Sequence, residues 1–360
     1  MKKYLFIILA GCAFNSAQSQ EVASGLRFSQ DNVIGTARYR AMSGAFGALG
    51  GDLSSLNVNP AGSAVFVNNQ LAFSLTNFDT KNNSNYFNSG RTTEKTSSFD
   101  INQVGAVFIF NNYKPNNNWT KIAVAINYEN ANNFDNAVYS EGINPTNSVD
   151  KYFLSYANAD LSRGQLGIPL NVIRNNDYFQ LNYADQQAFL GYEGYLINPA
   201  TNTDDNTEYN TNVPLGGNYT HQNTINASGY NGKLSFNAAT SYKDKLYLGL
   251  TLNSHFTDFR QNNYFTERNS NTTNNTAVLK NTGFENEIYT YGSGFSFQLG
   301  AIAKLSEEVR FGLSYQSPTW NKLNDEVRQY LYSTGYNFGN PPSSDITSTN
   351  IDSDDFVIYR

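Results

Sequence analysis

Few residues in this chain could do covalent chemistry. Its two histidines, His221 and His255, both stand in Asn- and Ser-rich surroundings. A hydrolytic site needs a serine, a histidine and an orienting group that converge. Ser254 and His255 are neighbours, which on a strand point to opposite faces, so both histidines are expected to serve a loop or a wet wall. Cys12 is the sole cysteine and falls in what reads as a leader. A mature chain without it has no disulfide, no thiolate metal site and no cysteine nucleophile. Two histidines alone do not suggest a transition-metal centre. Asp352-Ser353-Asp354-Asp355 lacks the spacing of a known calcium loop and reads as a solvated acidic turn. Gly44, Gly47, Gly50 and Gly51 of "GAFGALGG" do not form G-x-G-x-x-G. No strand leads in and no Gly-Lys-Ser/Thr follows, which argues against dinucleotide and P-loop sites. Asn-x-Ser/Thr triplets such as Asn271-Thr272-Thr273 are expected by chance at this asparagine content. The reading is of a protein that is not an enzyme and carries no cofactor.

The surroundings of these residues are unlike those of an ordinary soluble enzyme. Of 360 residues only 15% are charged while 14% are aromatic, and asparagine is the commonest type; soluble domains carry roughly 25% charge. Twenty-four Lys and Arg against 30 Asp and Glu give a net charge of −6, with no basic patch to suggest nucleic acid. Met1-Lys2-Lys3 and the apolar "YLFIILAGCAF" form an export signal, too short to cross a bilayer that needs roughly 20 residues. Ala17 and Ser19 place cleavage before Gln20, giving a signal peptide over 1–19. The alternative is that Leu9-Ala10-Gly11-Cys12 acts as a lipobox, with Cys12 acylated. No other long apolar run follows. An exported chain of this kind is either a soluble domain or an outer-membrane β-barrel, whose strands are half polar and weak in hydropathy.

Alternation decides between the two. Leu234, Phe236, Ala238, Thr240 and Tyr242 share one face of a strand. After Lys243-Asp244-Lys245, Leu246, Leu248, Leu250 and Leu252 share the same face of the next. The pattern recurs from Phe295 to Leu305 and, past Ser306-Glu307-Glu308, from Val309 to Tyr315. Val104–Phe110 and Ile122–Tyr128 form a further pair. The opposite faces carry Ser, Asn, Gln and Gly more than Lys and Glu, which suits a wet lumen. Tight turns at one end are expected to alternate with long polar loops at the other, among them Ser254 to Gly294. Within Tyr183–Thr211, Ala188, Tyr192 and Tyr195-Leu196 recur at helical spacing and predict a short helix. The closing "DDFVIYR" reads as a strand without a following partner, so the sequence is expected to stop before the last strands of a barrel.

One stretch does not fit a sheet at all. "SGAFGALGGDLSSLNVNPAGSAVF" is rich in small residues, bends at Asp52 and ends on Asn59-Pro60-Ala61 before the strands begin. It resembles the amino-terminal hatch of FadL/TodX-type outer-membrane transporters of long-chain fatty acids and aromatic hydrocarbons. "KLSEEVRFGLSYQSPTW", Lys304–Trp320, is similar to a late turn and strand of that family. The resemblance implies an all-β, antiparallel transmembrane barrel of about 14 strands, with a hatch over 20–66 inside a wall that occupies 67–360. It further implies diffusive uptake of hydrophobic compounds with sideways release through the wall. Asn59, Pro60 and Ala61 would form the hatch motif, and Phe46, Leu49 and Leu53 would offer apolar contacts to the cargo. The implied setting is the outer membrane of a Gram-negative bacterium. There a monomer would meet hydrophobic small molecules, lipid and lipopolysaccharide. The alternative from the same pattern is a barrel adhesin acting through its Tyr- and Asn-rich loops.

Overall fold

The alternating runs become strands, and the strands are far longer than the alternation alone implies. A computed structural model describes residues 26–28, 30, 32–87, 90–114, 116–271, 277–337 and 358–359. The signal segment 1–19, Cys12 and the Asp352–Asp355 run lie outside them. Strands β1 (Gln70–Asn85), β2 (Arg91–Asn111), β3 (Trp119–Asn133) and β4 (Asn136–Asn144) precede an insert over 145–218. Then come β7 (Tyr219–Tyr242), β8 (Leu246–Asn269), β9 (Ala277–Lys304), β10 (Arg310–Gln316) and β11 (Trp320–Asn337). Ile358–Tyr359, labelled β12, pairs with β11 at Val327 and Glu326.

All pairings in this sheet are antiparallel and run from one strand to the next as a meander. β3 and β4 take the two halves of one edge of β7, and β10 and β11 take the two halves of one edge of β9. Each couple is one long strand interrupted, at Phe134-Asp135 and at Ser317–Thr319. Strands make up 56% of the structure, and the sheet curls strongly into a half-barrel. At one end the connections are tight: three residues, Lys243 to Lys245, separate the paired Tyr242 and Leu246, and Lys243 and Asp244 both have positive φ, 53° and 52°.

The stretch expected as a polar loop, Ser254–Gly294, is instead mostly ladder. β8 and β9 pair without interruption from Leu246↔Ala303 to Arg268↔Asn281. Backbone pairing does not need apolar side chains, and the Thr, Tyr and Phe residues of this stretch are good strand formers. Polar composition therefore marks where the wall leaves its apolar zone, not where the strand stops.

The two faces are inverted relative to a soluble protein. Leu248, Leu250, Leu252, Phe236, Leu299, Leu313, Ile126 and Phe108 lie on the outer face and are exposed. Ser235, Asn237, Thr251, Asn253, Ser296 and Gln298 lie on the inner face and are buried.

The insert has its own architecture. Helices α2 (Asp150–Ala157), α3 (Leu170–Asn175) and α4 (Tyr183–Glu193) pack with the hairpin β5–β6 (Ile197–Pro199, Tyr209–Thr211). The helix predicted within Tyr183–Thr211 is α4, begun by Asn182, whose side chain accepts from the Ala184 and Asp185 amides. Phe153, Ala157, Leu170, Ile173, Ala188, Leu190, Leu196 and Ile197 form a core that also takes in Leu279, Phe284 and Leu331 of the wall. Burial pushes the Tyr152 and Tyr178 hydroxyls up and Tyr209 up to about 12. They therefore act as donors: Tyr178 to Gln329 Oε1 at 2.8 Å and Tyr209 to the Ile168 carbonyl at 2.8 Å.

Candidate functional site: the covered inner face

Residues 32–66 contain no strand. After helix α1 (Ala37–Ala41) come two 3-10 turns, Leu53–Asn57 and Pro60–Val65. Side chains set each boundary. Thr36 accepts from the Tyr39 amide, Asp52 from Ser54 and Asn59 from Ala61, and proline stands at the first position of the last turn, where its missing N–H costs nothing. Thr36 Oγ1 donates to Asp52 Oδ2 at 2.8 Å, which folds the segment back on itself.

This short segment touches seven strands, beginning with β1, where Arg40 Nη1 donates to Thr76 Oγ1 at 3.4 Å. Ser54 Oγ donates to Gln103 Oε1 of β2 at 2.8 Å, and Lys121 Nζ of β3 donates to the Phe66 carbonyl at 3.0 Å. Asn237 Nδ2 of β7 donates to the Pro60 carbonyl at 3.0 Å, and Gln298 Nε2 of β9 to the Asn57 carbonyl at 3.0 Å. Gly249 of β8 and Gly312 of β10 complete the set by close backbone approach. Seven neighbouring strands thus meet one short segment on the face that carries their buried polar residues.

Asn59 is the residue most tied to the wall. It is fully buried. Its Nδ2 donates to the Gly47 carbonyl at 2.7 Å and to the strand carbonyls of Ala301 and Leu313 at 3.0 and 3.4 Å. Its Oδ1 meanwhile caps the Pro60 turn. Pro60 and Ala61 are buried beside it. The wall makes room with glycine. A Cβ on Gly300 would lie 2.1 Å from Asn59 Oδ1, on Gly249 2.4 Å from the Pro60 carbonyl carbon, and on Gly312 2.0 Å from the Gly47 oxygen. Register places Gly249 opposite Gly300, so the track runs across neighbouring strands. Gly50 does the same within the segment: at φ +63° it lies against Gly62.

Phe46 and Leu53 are buried within this packing and Leu49 is half-buried. Phe46 stacks against Tyr39 at 5.3 Å with the Arg38 guanidinium over its ring. Leu53 joins Leu56, Ala61, Ala64, Val107, Ala123, Ala239 and Ile302 in one apolar cluster between segment and wall. In this arrangement their contacts are with the protein itself.

Two arrangements escaped the sequence reading. His255 does meet a serine, but it is Ser296, across the β8–β9 ladder, at 2.8 Å from Nε2. Ser296 Oγ also accepts from Asn253 Nδ2 and has no exposed surface. It belongs to a polar row, Asn127–Ser235–Asn253–Ser296, that runs across four strands. His221 is the other. Its Nε2 lies 2.8 Å from Glu267 Oε2, and its Nδ1 2.5 Å from the Tyr86 hydroxyl. The sequence assigns both histidines to a loop or a wet wall, and only register says which residues lie across from them.

No family model, no curated protein sequence and no solved structure matches this chain.

Proposed function

We propose that this chain forms the wall and internal plug of an outer-membrane β-barrel that admits hydrophobic compounds, fatty acids or hydrocarbons, by diffusion. The carrying observation is the inverted sheet with the chain's own segment held against its polar inner face by Asn59. On the outer face of β8, no charge stands between Leu246 and Phe256, while Lys245 and Asp258 bound the stretch. Ten rises of about 3.3 Å make about 33 Å of strand, or roughly 23 Å of height at a tilt of about 45°, close to the ~25 Å apolar belt of such barrels. Aromatic rings rim it: Trp119 and Tyr242 pack at 5.2 Å by the tight turns, and Phe295 and Trp320 stack at 6.4 Å at the far side. Backbone in lipid demands that both edges of the half-barrel be paired in the complete barrel.

A plugged barrel suits apolar cargo, because each CH₂ taken from water gains about 0.8 kcal/mol. The sideways release in this reading is supported by a gap in backbone pairing beside β2, bridged among the described residues only by side chains such as Asn130 and Asn133 to Asp100. The β2–β3 ladder ends at Gln103↔Glu129, and above it residues 91–102 of β2 pair with β1 alone among the described strands. Asn102 Oδ1, Asn127 Nδ2 and Asn130 Oδ1 are buried near that split without a hydrogen-bond partner.

The test is deletion of Ser43–Gly62 from the complete barrel, beside the milder Pro60→Ala. Liposome swelling with a sugar should rise in the deletion while saturable uptake of labelled oleate falls. Pro60→Ala should disturb oleate uptake alone. Unchanged rates in the deletion would remove the reading's main support.

A further inference from the structure

We infer that Glu267 is the clasp by which the wall holds the insert, residues 145–218, over the inner face at the long-strand end. Two separate pieces of chain meet at this carboxylate, and two more stand in line behind its histidine. Ser148 Oγ donates to its Oε1 at 2.6 Å and the Val149 amide to its Oε2 at 2.8 Å, both from the start of the insert. His221 of β7, directly opposite in the ladder, meets the same Oε2 at 2.8 Å. The Tyr86 hydroxyl, from the tip of the β1–β2 hairpin, reaches His221 Nδ1, and Asn144 Nδ2 at the end of β4 donates to Tyr86 at 3.1 Å.

Asn144 donates to Tyr86, and the Tyr86–His221 and His221–Glu267 contacts carry the line of hydrogen bonds on to the carboxylate. Glu267, His221, Asn144 and Ser148 are all more than nine-tenths buried, so none of these bonds is traded cheaply for water. The carboxylate also stands at the amino-terminal end of α2, where the helix dipole favours an anion.

The two ends of the insert leave the wall side by side near this point, and its core is shared with Leu279, Phe284 and Leu331 of the wall. A Cβ on Gly217, at φ +78°, would lie 2.2 Å from the Pro145 carbonyl oxygen, and neighbouring Gly216 has φ +151°. These are the chain positions most able to absorb a change of backbone angle. Besides the clasp, α2 packs on the wall through Tyr152 and Phe153 against Phe284, at 5.8 and 5.3 Å, and the rest of the insert bonds Gln329 through Tyr178 and Gln187 and Ser333 through the Gly194 carbonyl. Releasing Glu267 frees the α2 end first and uncovers the inner face from that side. The inference stands on this geometry and does not depend on the cargo.

Glu267→Gln is the discriminating variant. It keeps the shape but replaces one acceptor oxygen by a donor that faces other donors. Hydrogen exchange on the complete protein should show α2 amides exchanging at least tenfold faster, with the β8–β9 ladder between Leu246 and Leu252 unchanged. Ser148→Ala removes one donor from the insert side only, and should speed α2 by a smaller factor, about twofold to fivefold, with the wall again unchanged. The inference fails if α2 exchange stays within twofold of wild type in Glu267→Gln. It fails equally if wall and insert speed up together in both variants, since Glu267 would then support the wall and not fasten the insert.

Discussion

Asn59 shows how one side chain can hold a segment against a sheet. Its amide nitrogen has two hydrogens and faces three carbonyls, two of them belonging to adjacent wall strands. Removing a buried partner leaves the others unsatisfied, at about 1–3 kcal/mol. Asn59→Ala should therefore raise exchange of the amides from Ala61 to Phe66 at least tenfold while the β8–β9 ladder keeps its protection. Asn59→Asp should do more, because it turns a carboxylate toward those carbonyls. Equal protection in wild type and both variants would show that the segment is held elsewhere. Gly300→Ala approaches the same contact from the wall, since its Cβ would intrude on Asn59 Oδ1.

Among the elements, the long strands carry two chemistries in succession along one ladder. On β8 the outer face runs Leu246, Leu248, Leu250, Leu252 and Phe256, then Asp258 and Arg260, the last of these 3.4 Å from Glu287 Oε1. The register does not change at that border. The consequence is testable on β9 and β11. Leu299 is outward and exposed, whereas Asn321 lies opposite Gly294 on the inner face. Leu299→Arg should impair assembly by about 2–4 kcal/mol, the cost of arginine at the middle of the lipid face, and Asn321→Arg should be tolerated. Folded yield in detergent, read by band shift, compares them. Equal loss or equal tolerance would reject the face assignment.

For the whole molecule, an outer surface of leucine, phenylalanine and valine over a buried polar interior leaves water as a poor solvent. The proposed barrel should fractionate with outer membranes, need detergent for release and migrate differently before and after boiling. Closed barrels resist unfolding because every backbone group is paired. Recovery as a soluble species after osmotic shock alone would overturn it. At this scale the inner face is covered twice, by 32–66 toward the tight turns and by the insert toward the long strands. The half-barrel's curl is what lets both reach it.

What the sequence determined by itself was the local pattern. Side chains alternate along a strand with period 2, so Leu246–Leu252 and Phe295–Leu305 announced both their conformation and their shared face. Asn59-Pro60 likewise announced a chain break, since an asparagine cap and a proline at the first helical position are local signals. The helix in Tyr183–Thr211 was legible for the same reason. Strand length was not, because backbone hydrogen bonds do not read polarity and the ladder runs on through Ser254–Gly294. Nor was the insert's core, whose residues gain meaning only when Phe284 and Leu331 of distant strands complete it. Gly249, Gly300 and Gly312 looked like ordinary members of a polar face until Asn59–Ala61 and Gly47 came to lie on them. Glu267 carried no sequence signal whatever. Its partners are residues 148, 149 and 221, with 86 and 144 in line behind His221, and only the curl and register of the sheet bring such separated groups together.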